Sequence, residues 1–397
     1  MINPSASGWI DKFFNRLTKK APEKSIHNFY RQIRDTGFIY GHAVSIEHLN
    51  SKETTGWTAE ETTKAALLGT LFDLYRHVTE EESVHDFIKK AIGFYREMTP
   101  EGFALLKKVL PASPPSHELE NILDERIRTN DNIIGRNFSH ILTNALLFMD
   151  ALAFRHYLLE NEIPEKYIKK LEETAVSIVS LALKTKKAKS EYDKLLIKLF
   201  ESSVRYTKFS AVNTQGLNKL ELSYFKNYLE KIYLLDIAGM AIWNDSKAEK
   251  DEIDFLYRLA AQLAIPDDEV AESIASFDVF IKRYKKEIPY FNYSNPVRHF
   301  YDHASQYVML LINRNRKRLI KELSNNGELM VLLTHSTHRT LDKDEKKKVK
   351  KQLLEICKTV PSLTIFILPG GSLLLPLLIK FIPQLLPSVF NENLDNE

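Results

Sequence analysis

Residues 360–390 read VPSLTIFILPGGSLLLPLLIKFIPQLLPSVF, a run of thirty-one residues with one charge, Lys380. Its first twenty residues, Val360 to Ile379, hold no ionisable side chain. At about 1.5 Å rise per residue, a helix of that length crosses a hydrocarbon core of roughly 30 Å. Nothing upstream has this character. The chain therefore reads as a charged helical body followed by a Pro-rich, transmembrane-like helical segment at its C-terminal end.

Working outward from that run, prolines stand at 361, 369, 376, 383 and 387. Pro369, Pro376 and Pro383 are seven apart, nearly two helical turns, so on one helix they share a face. Each proline removes a backbone hydrogen bond, and lipid tolerates such losses only where other groups satisfy the freed carbonyls. Gly370-Gly371 beside Pro369 adds a kink. The pattern predicts a bent or partly re-entrant segment that packs against something, further copies of itself included. A hydrophobic hairpin buried in the body is the alternative. Just before the run, residues 341–358 carry seven lysines (343, 346, 347, 348, 350, 351 and 358) against Asp342, Asp344, Glu345 and Glu355. After Phe390 come three acids and no base. An excess of Lys on one flank places the body in the cytoplasm and the segment as a C-terminal anchor. Lys343, Lys346, Lys347, Lys348, Lys350 and Lys351 then form a lipid-facing basic helix, each near an anionic surface contributing about 1 kcal/mol, with an ordinary solvated helix face as the alternative.

The rest of the chain reads as all-α. Among 397 residues only 13 are Gly, and long stretches are rich in Leu, Ala, Glu and Lys. Four regions follow from breaks in the pattern: 1–110, N-terminal and helical; 118–210, a helical core region; 218–340, helical; and 341–390, the basic helix with the apolar segment. Residues 1–20 are amphipathic, with Trp9, Ile10, Phe13, Phe14 and Leu17 to one side, and suit either a membrane surface or packing on the body. Asp11 and Lys12 interrupt them, which argues against a cleaved secretory signal. Helices are expected near Ala59–His77, begun by a Thr58/Glu61 capping box, and near Glu81–Glu97. The run Asn132–Leu159 reads as a central core helix, because Asp150 and Arg155 are out of place in lipid.

Several chemistries lack their residues. Lys+Arg exceed Asp+Glu by only 55 to 52, so no direct nucleic-acid reader is indicated. Cys357 is the single cysteine, which excludes an intrachain disulfide and a Cys-based zinc site. There is no GxxxxGK[ST], GxGxxG or HExxH. His299, Asp302 and His303, then His335 and His338, lack a third ligand, and Asp245–Glu252 lacks the glycine and spacing of an EF-hand. No metal, no cofactor and no catalytic residues are expected, and the chain reads as a non-enzyme.

Two resemblances add to this. The acidic turn Asn244–Glu252 followed by Ile253–Phe277 resembles the helical TerB-like module of tellurite-resistance proteins. More specifically, Val360-Pro361, Pro369, Leu374-Leu375-Pro376, Lys380, Ile382-Pro383 and Leu386-Pro387-Ser388-Val389-Phe390 resemble, without a gap, the transmembrane region of the LETM family, the leucine-zipper and EF-hand transmembrane proteins. The layout as a whole is similar to LETM-related, biofilm-associated bacterial proteins. The resemblance implies residence at the bacterial inner membrane and a part in biofilm or envelope physiology, with membrane lipid and an unnamed protein as partners. It also implies two alternatives, cation or proton homeostasis and contact with the ribosome. This sequence departs from the family at Ser372, where the family carries an acid, and at Glu397, where it stops while the family continues into a large helical ribosome-binding domain and, in some members, an EF-hand.

Overall fold

The computed structural model describes residues 2–17, 23–47, 49–50, 52–98, 114–128, 144–161, 165–185, 197, 215–242, 250–284, 286, 305–306, 308–339, 341–360, 363 and 375–385. Every regular element among them is helical. Contacts divide the chain into two compact units, Met1–Thr129 with Arg136–Val297, and Asn130–Gly135 with Arg298–Glu397.

The larger unit holds α1 (Trp9–Arg16), α2 (Ile26–Asp35), α3 (Ala59–Thr79), α4 (Val84–Glu97), α5 (Pro115–Arg128), α6 (Phe148–Glu160), α7 (Glu165–Lys184), α8 (Tyr228–Ile242), α9 (Lys250–Leu263) and α10 (Asp267–Tyr284). Two helices organise it. α3 packs against α6, α5 and α4, and α8 packs against α7, α9, α10 and α2. Both are apolar around most of their circumference, as expected of helices enclosed by others. α8 buries Ile232, Tyr233, Leu234, Leu235, Ile237 and Ala238 in close succession.

The local signals behave as the sequence predicts. Thr58 Oγ1 accepts from Glu61 N at 3.2 Å and Thr58 N donates to Glu61 Oε2 at 2.7 Å, closing the capping box that starts α3. Ser83 caps α4. The N-terminal amphipathic piece packs on the body. Trp9, Ile10 and Phe13 are buried, and the Glu120 carboxylate accepts from the backbone N–H of Gly8 and Ile10, each at 3.0 Å, tying α1 to α5. Within the expected core helix, the described part is α6, and Asp150 at its start is buried and paired with Arg126 from α5. Arg126 Nε donates to Asp150 Oδ2 at 2.8 Å and the Tyr95 hydroxyl donates to the same oxygen at 3.1 Å.

A second buried carboxylate, Asp236 on α8, repeats this chemistry. It accepts from Tyr30 Oη at 2.7 Å, from Arg34 Nε at 3.1 Å, from Arg34 Nη2 at 3.2 Å and from Ser273 Oγ. Desolvation would favour a neutral Arg34, but the facing Asp236 carboxylate outweighs it and the guanidinium pKa is raised. Burial and then the Asp236 charge push the Tyr30 phenol up, so it remains a donor. Three elements, α2, α8 and α10, are thereby joined at one carboxylate.

The smaller unit holds α11 (Arg316–Ser324), α12 (Gly327–His338), α13 (Lys343–Thr359) and α14 (Leu375–Phe381), the last running into a 3-10 turn at Ile382–Leu385. α11, α12 and α13 contact one another, α14 contacts α13, and the 3-10 turn contacts α12. Leu319, Leu323, Leu329, Leu333, Val349 and Leu353 form the shared core.

Candidate functional site

The segment that decided the sequence reading lies in this smaller unit. Its basic half is α13. Asp342 caps the helix, accepting from Asp344 N at 2.9 Å and Glu345 N at 2.8 Å, and Asp342 N donates to Glu345 Oε2 at 2.9 Å. Arg339 forks onto Glu345 at 2.8 and 2.6 Å. That guanidinium, with the Asp342 N–H, holds the Glu345 carboxyl down at about 2. Val349, Leu353, Ile356 and Cys357 are the buried face. Burial pushes the Cys357 thiol up to about 12, so it packs as an inert apolar group.

All six lysines expected on the basic helix are exposed. Lys348 donates to Glu328 Oε1 on α12 at 3.0 Å, beside Gln352, which donates to Glu328 Oε2 at 2.6 Å. Lys343, Lys346, Lys347, Lys350 and Lys351 have no ion pair to a carboxylate among the described residues. Their spacing of i, i+3, i+4, i+7 and i+8 gathers them on one flank of the helix, separate from the buried face.

The apolar half is described in part. Pro361, Pro369, Gly370, Gly371 and Pro387 lie outside the described residues. Pro376 is the second residue of α14, where a missing N–H costs no helical bond. Pro383 falls in the 3-10 turn directly after Phe381, and its lack of an N–H and its ring end the α-helix there. The heptad prolines thus bound a seven-residue helix, about 10 Å long. The proline pattern predicts a bent or partly re-entrant segment, with a hydrophobic hairpin buried in the body as the alternative. Among the described residues no helix is long and apolar enough to cross a membrane. α14 and its turn are amphipathic and folded onto the unit, with Leu375, Leu377, Leu378 and Ile382 buried. Lys380 is exposed on the other side, its Nζ 5.8 Å from the Phe381 ring centroid.

The C-terminal end of α13 meets α11. Arg318 Nη2 donates to the Thr359 carbonyl at 2.8 Å, one residue before the apolar run begins at Val360. Arg318 belongs to a set the sequence reading passed over. Arg314, Lys317, Arg318 and Lys321 follow i, i+3, i+4 and i+7, and all are exposed. The helical turns over 308–314 run up to Asn315, which precedes α11 at φ −107° and ψ 11°, so Arg314 ends the preceding helix beside the face that Lys317, Arg318 and Lys321 share on α11. The signal was present in Asn313–Lys321, NRNRKRLIK, once helical spacing is applied to charge as well as to apolar residues.

A family model described as LETM1-like, RBD matches residues 341–397, beginning two residues before α13 and taking in the whole apolar run. Residues 341–397 are LETM1-like. The label RBD is attached to the LETM1-like segment itself, whereas the sequence reading set the ribosome-binding domain beyond it. The cationic stripe of α11 lies outside the LETM1-like match. No curated protein and no solved structure matches the chain. The His299, Asp302 and His303 cluster and most of Asp245–Glu252 lie outside the described residues, and among those described no three His, Cys, Asp or Glu side chains converge as a metal site.

Proposed function

We propose that this is a non-enzymatic, membrane-associated helical protein, in which the LETM1-like segment attaches a helical interaction module to the bacterial inner membrane. One observation carries the reading. A flank of five lysines without carboxylate partners among the described residues runs along α13 directly into thirty-one residues with a single charge. Cations beside an apolar run suit an interface where headgroups are anionic and acyl chains lie beneath. The larger unit then faces the cytoplasm and supplies the surface for a protein partner. A role in biofilm or envelope physiology, and a TerB-like character for residues 244–277, belong to this reading by resemblance.

The test is membrane fractionation with an alkaline carbonate wash. It compares the full chain, a chain ending at Thr359, and a full-length Ile367→Arg/Leu374→Arg variant. Two arginines near the middle of an apolar span cost about 5–7 kcal/mol of insertion. Resistance of the parent to extraction, lost in both altered chains, is the expected outcome. A parent chain extracted as readily as the variant would sink the anchor.

A second reading, ribosome contact at the membrane, is favoured by the description of the matching family model. Co-sedimentation with ribosomes that is abolished by charge reversal at Lys343, Lys346, Lys347, Lys350 and Lys351 supports it. Co-sedimentation that survives the reversal removes α13 as the contact.

A further inference from the structure

We propose that the cationic stripe of α11, Arg314, Lys317, Arg318 and Lys321, is a docking face for the anionic headgroups of a phospholipid surface, placed at the root of the apolar run and continued by the lysine flank of α13. It rests on the membrane reading above and adds a surface outside the LETM1-like match.

Charge is the first ground. Residues 298–397 hold fifteen Lys and Arg against ten Asp and Glu, although the whole chain is nearly balanced at 55 to 52. Between Arg314 and Lys321 there are five basic residues and no acid. All four stripe residues are exposed, and among the described residues the ion pairs of the unit, Arg339–Glu345, Lys348–Glu328 and Lys358–Glu355, involve none of them. Lys317, Arg318 and Lys321 at i, i+1 and i+4 of α11, with Arg314 just before it, repel one another, which costs stability in the absence of a counter-charge. A surface of opposite sign removes that cost.

Position is the second ground. Arg318 is held on the Thr359 carbonyl, so the stripe sits where the chain passes from α13 into Val360 and the apolar segment. Seven residues of helix span about 10 Å, and the five lysines of α13 about 12 Å, so each stripe covers a few headgroups. Clusters of four to eight basic residues next to a membrane segment are the sequence mark of anionic lipid recognition.

Composition argues against single-stranded nucleic acid as the polyanion. From Arg314 to Val360 there is no Phe, Tyr or Trp. Single-stranded nucleic acid is held by stacking bases on such rings, and this face offers none. A lipid surface needs only charge at the interface and apolar groups beside it.

The experiment measures partitioning of the full chain onto phosphatidylcholine vesicles with and without about a third phosphatidylglycerol, at low salt, by flotation. The variant is Arg314→Gln/Lys317→Gln/Lys321→Gln, which leaves Arg318 on the Thr359 carbonyl. At about 1 kcal/mol for each cation near the surface, the variant should bind anionic vesicles on the order of a hundredfold more weakly. Binding to neutral vesicles should be unchanged. The charge-keeping variant Arg314→Lys/Lys317→Arg/Lys321→Arg should retain the parent's affinity, and far-ultraviolet circular dichroism should show all three chains equally helical. Inorganic phosphate at millimolar concentration should not displace the protein, which separates a headgroup surface from a free phosphate site. Anionic-vesicle binding of the Gln variant within twofold of the parent overturns the proposal. So does a loss seen on ribosomes or duplex RNA while vesicle binding holds. The anchor fails separately: carbonate resistance reads the apolar run, which the Gln variant keeps.

Discussion

Asp236 is the residue on which most of the larger unit's polar chemistry converges. Its carboxylate takes hydrogen bonds from Tyr30, Arg34 and Ser273, and both it and Arg34 are almost fully buried. A buried ion pair adds little over an apolar pair of the same shape, but losing one partner strands a charge. Asp236→Asn should therefore lower the unfolding free energy by about 3–5 kcal/mol, read from the midpoint and slope of urea denaturation. The paired change Arg34→Met/Asp236→Leu should cost far less than Asp236→Asn alone. Arg34 Nη1 also donates to Glu272 Oε1 at 3.4 Å, so a single change costing under about 1 kcal/mol would mean that Glu272 takes over the guanidinium. Gly37 makes a second residue-scale case. It sits at φ +78°, and a Cβ there would lie 2.4 Å from the His42 carbonyl oxygen and 2.5 Å from the Phe280 ring. Gly37→Ala should destabilise by about 2 kcal/mol or more, combining left-handed backbone strain with a clash against backbone. Urea denaturation with an unchanged midpoint would show that the turn between α2 and the Phe38–Tyr40 turn can rearrange.

At the scale of elements, α13 shows how much a short sequence pattern settles. Asp342 and Glu345 close a capping box, and Arg339 reinforces it. The Glu345 carboxyl lies lower in the folded chain, about 2, than its ordinary value of 4.5. A depressed folded pKa gives stability that is complete above the unfolded value and lost as pH falls through the folded one. The melting temperature of the smaller unit should therefore differ between parent and Glu345→Gln at pH 6. The difference should shrink below pH 4.5 and vanish near pH 2, since Gln mimics the protonated acid. Curves that stay apart at pH 2 would assign the effect to something other than charge. The start of α3 is legible because its capping box is local, whereas the helix expected from Glu81 begins at Val84, where Ser83 supplies the cap and Glu80 ends α3 in a left-handed conformation. Partners far apart in sequence are not legible: Arg34 and Asp236 are 202 residues apart, and nothing near either names the other. The spacing of Pro369, Pro376 and Pro383 predicts a bent or partly re-entrant segment. Of the three, Pro376 and Pro383 are described, and they lie at the two ends of α14, which stops after seven residues. The lysines of 343–351 stand out because they adjoin the apolar run, whereas the cations of 314–321 do not and become legible only when their spacing is laid on a helix.

Across the smaller unit as a whole, the apolar run has two competing uses. Val360, Leu363, Leu375, Leu377, Leu378 and Ile382 are all nearly or fully buried against the folded unit. Burying a side chain of this kind contributes about 1.5–3 kcal/mol, so the six together contribute on the order of 10 kcal/mol, comparable with the net stability of a whole domain. Without them α11, α12 and α13 hold too little core to stay folded. A chain ending at Thr359 should therefore be cut by trypsin between Arg314 and Lys358 at the rate of an unfolded chain, while the larger unit stays resistant. A bilayer offers the same side chains an equal transfer energy, so insertion of the run must withdraw them from the unit and open α11 to α13. Trypsin added to membrane-bound full-length protein then discriminates. New cleavage in 314–358 that appears only with vesicles means that the run leaves the unit when it enters lipid. Continued protection together with carbonate resistance means that the 375–385 segment stays folded on α12 and α13 while the rest of the run holds the membrane. Under either outcome the proposed lipid contacts of α11 and α13 remain available, because their cations are exposed and are not part of the core being exchanged.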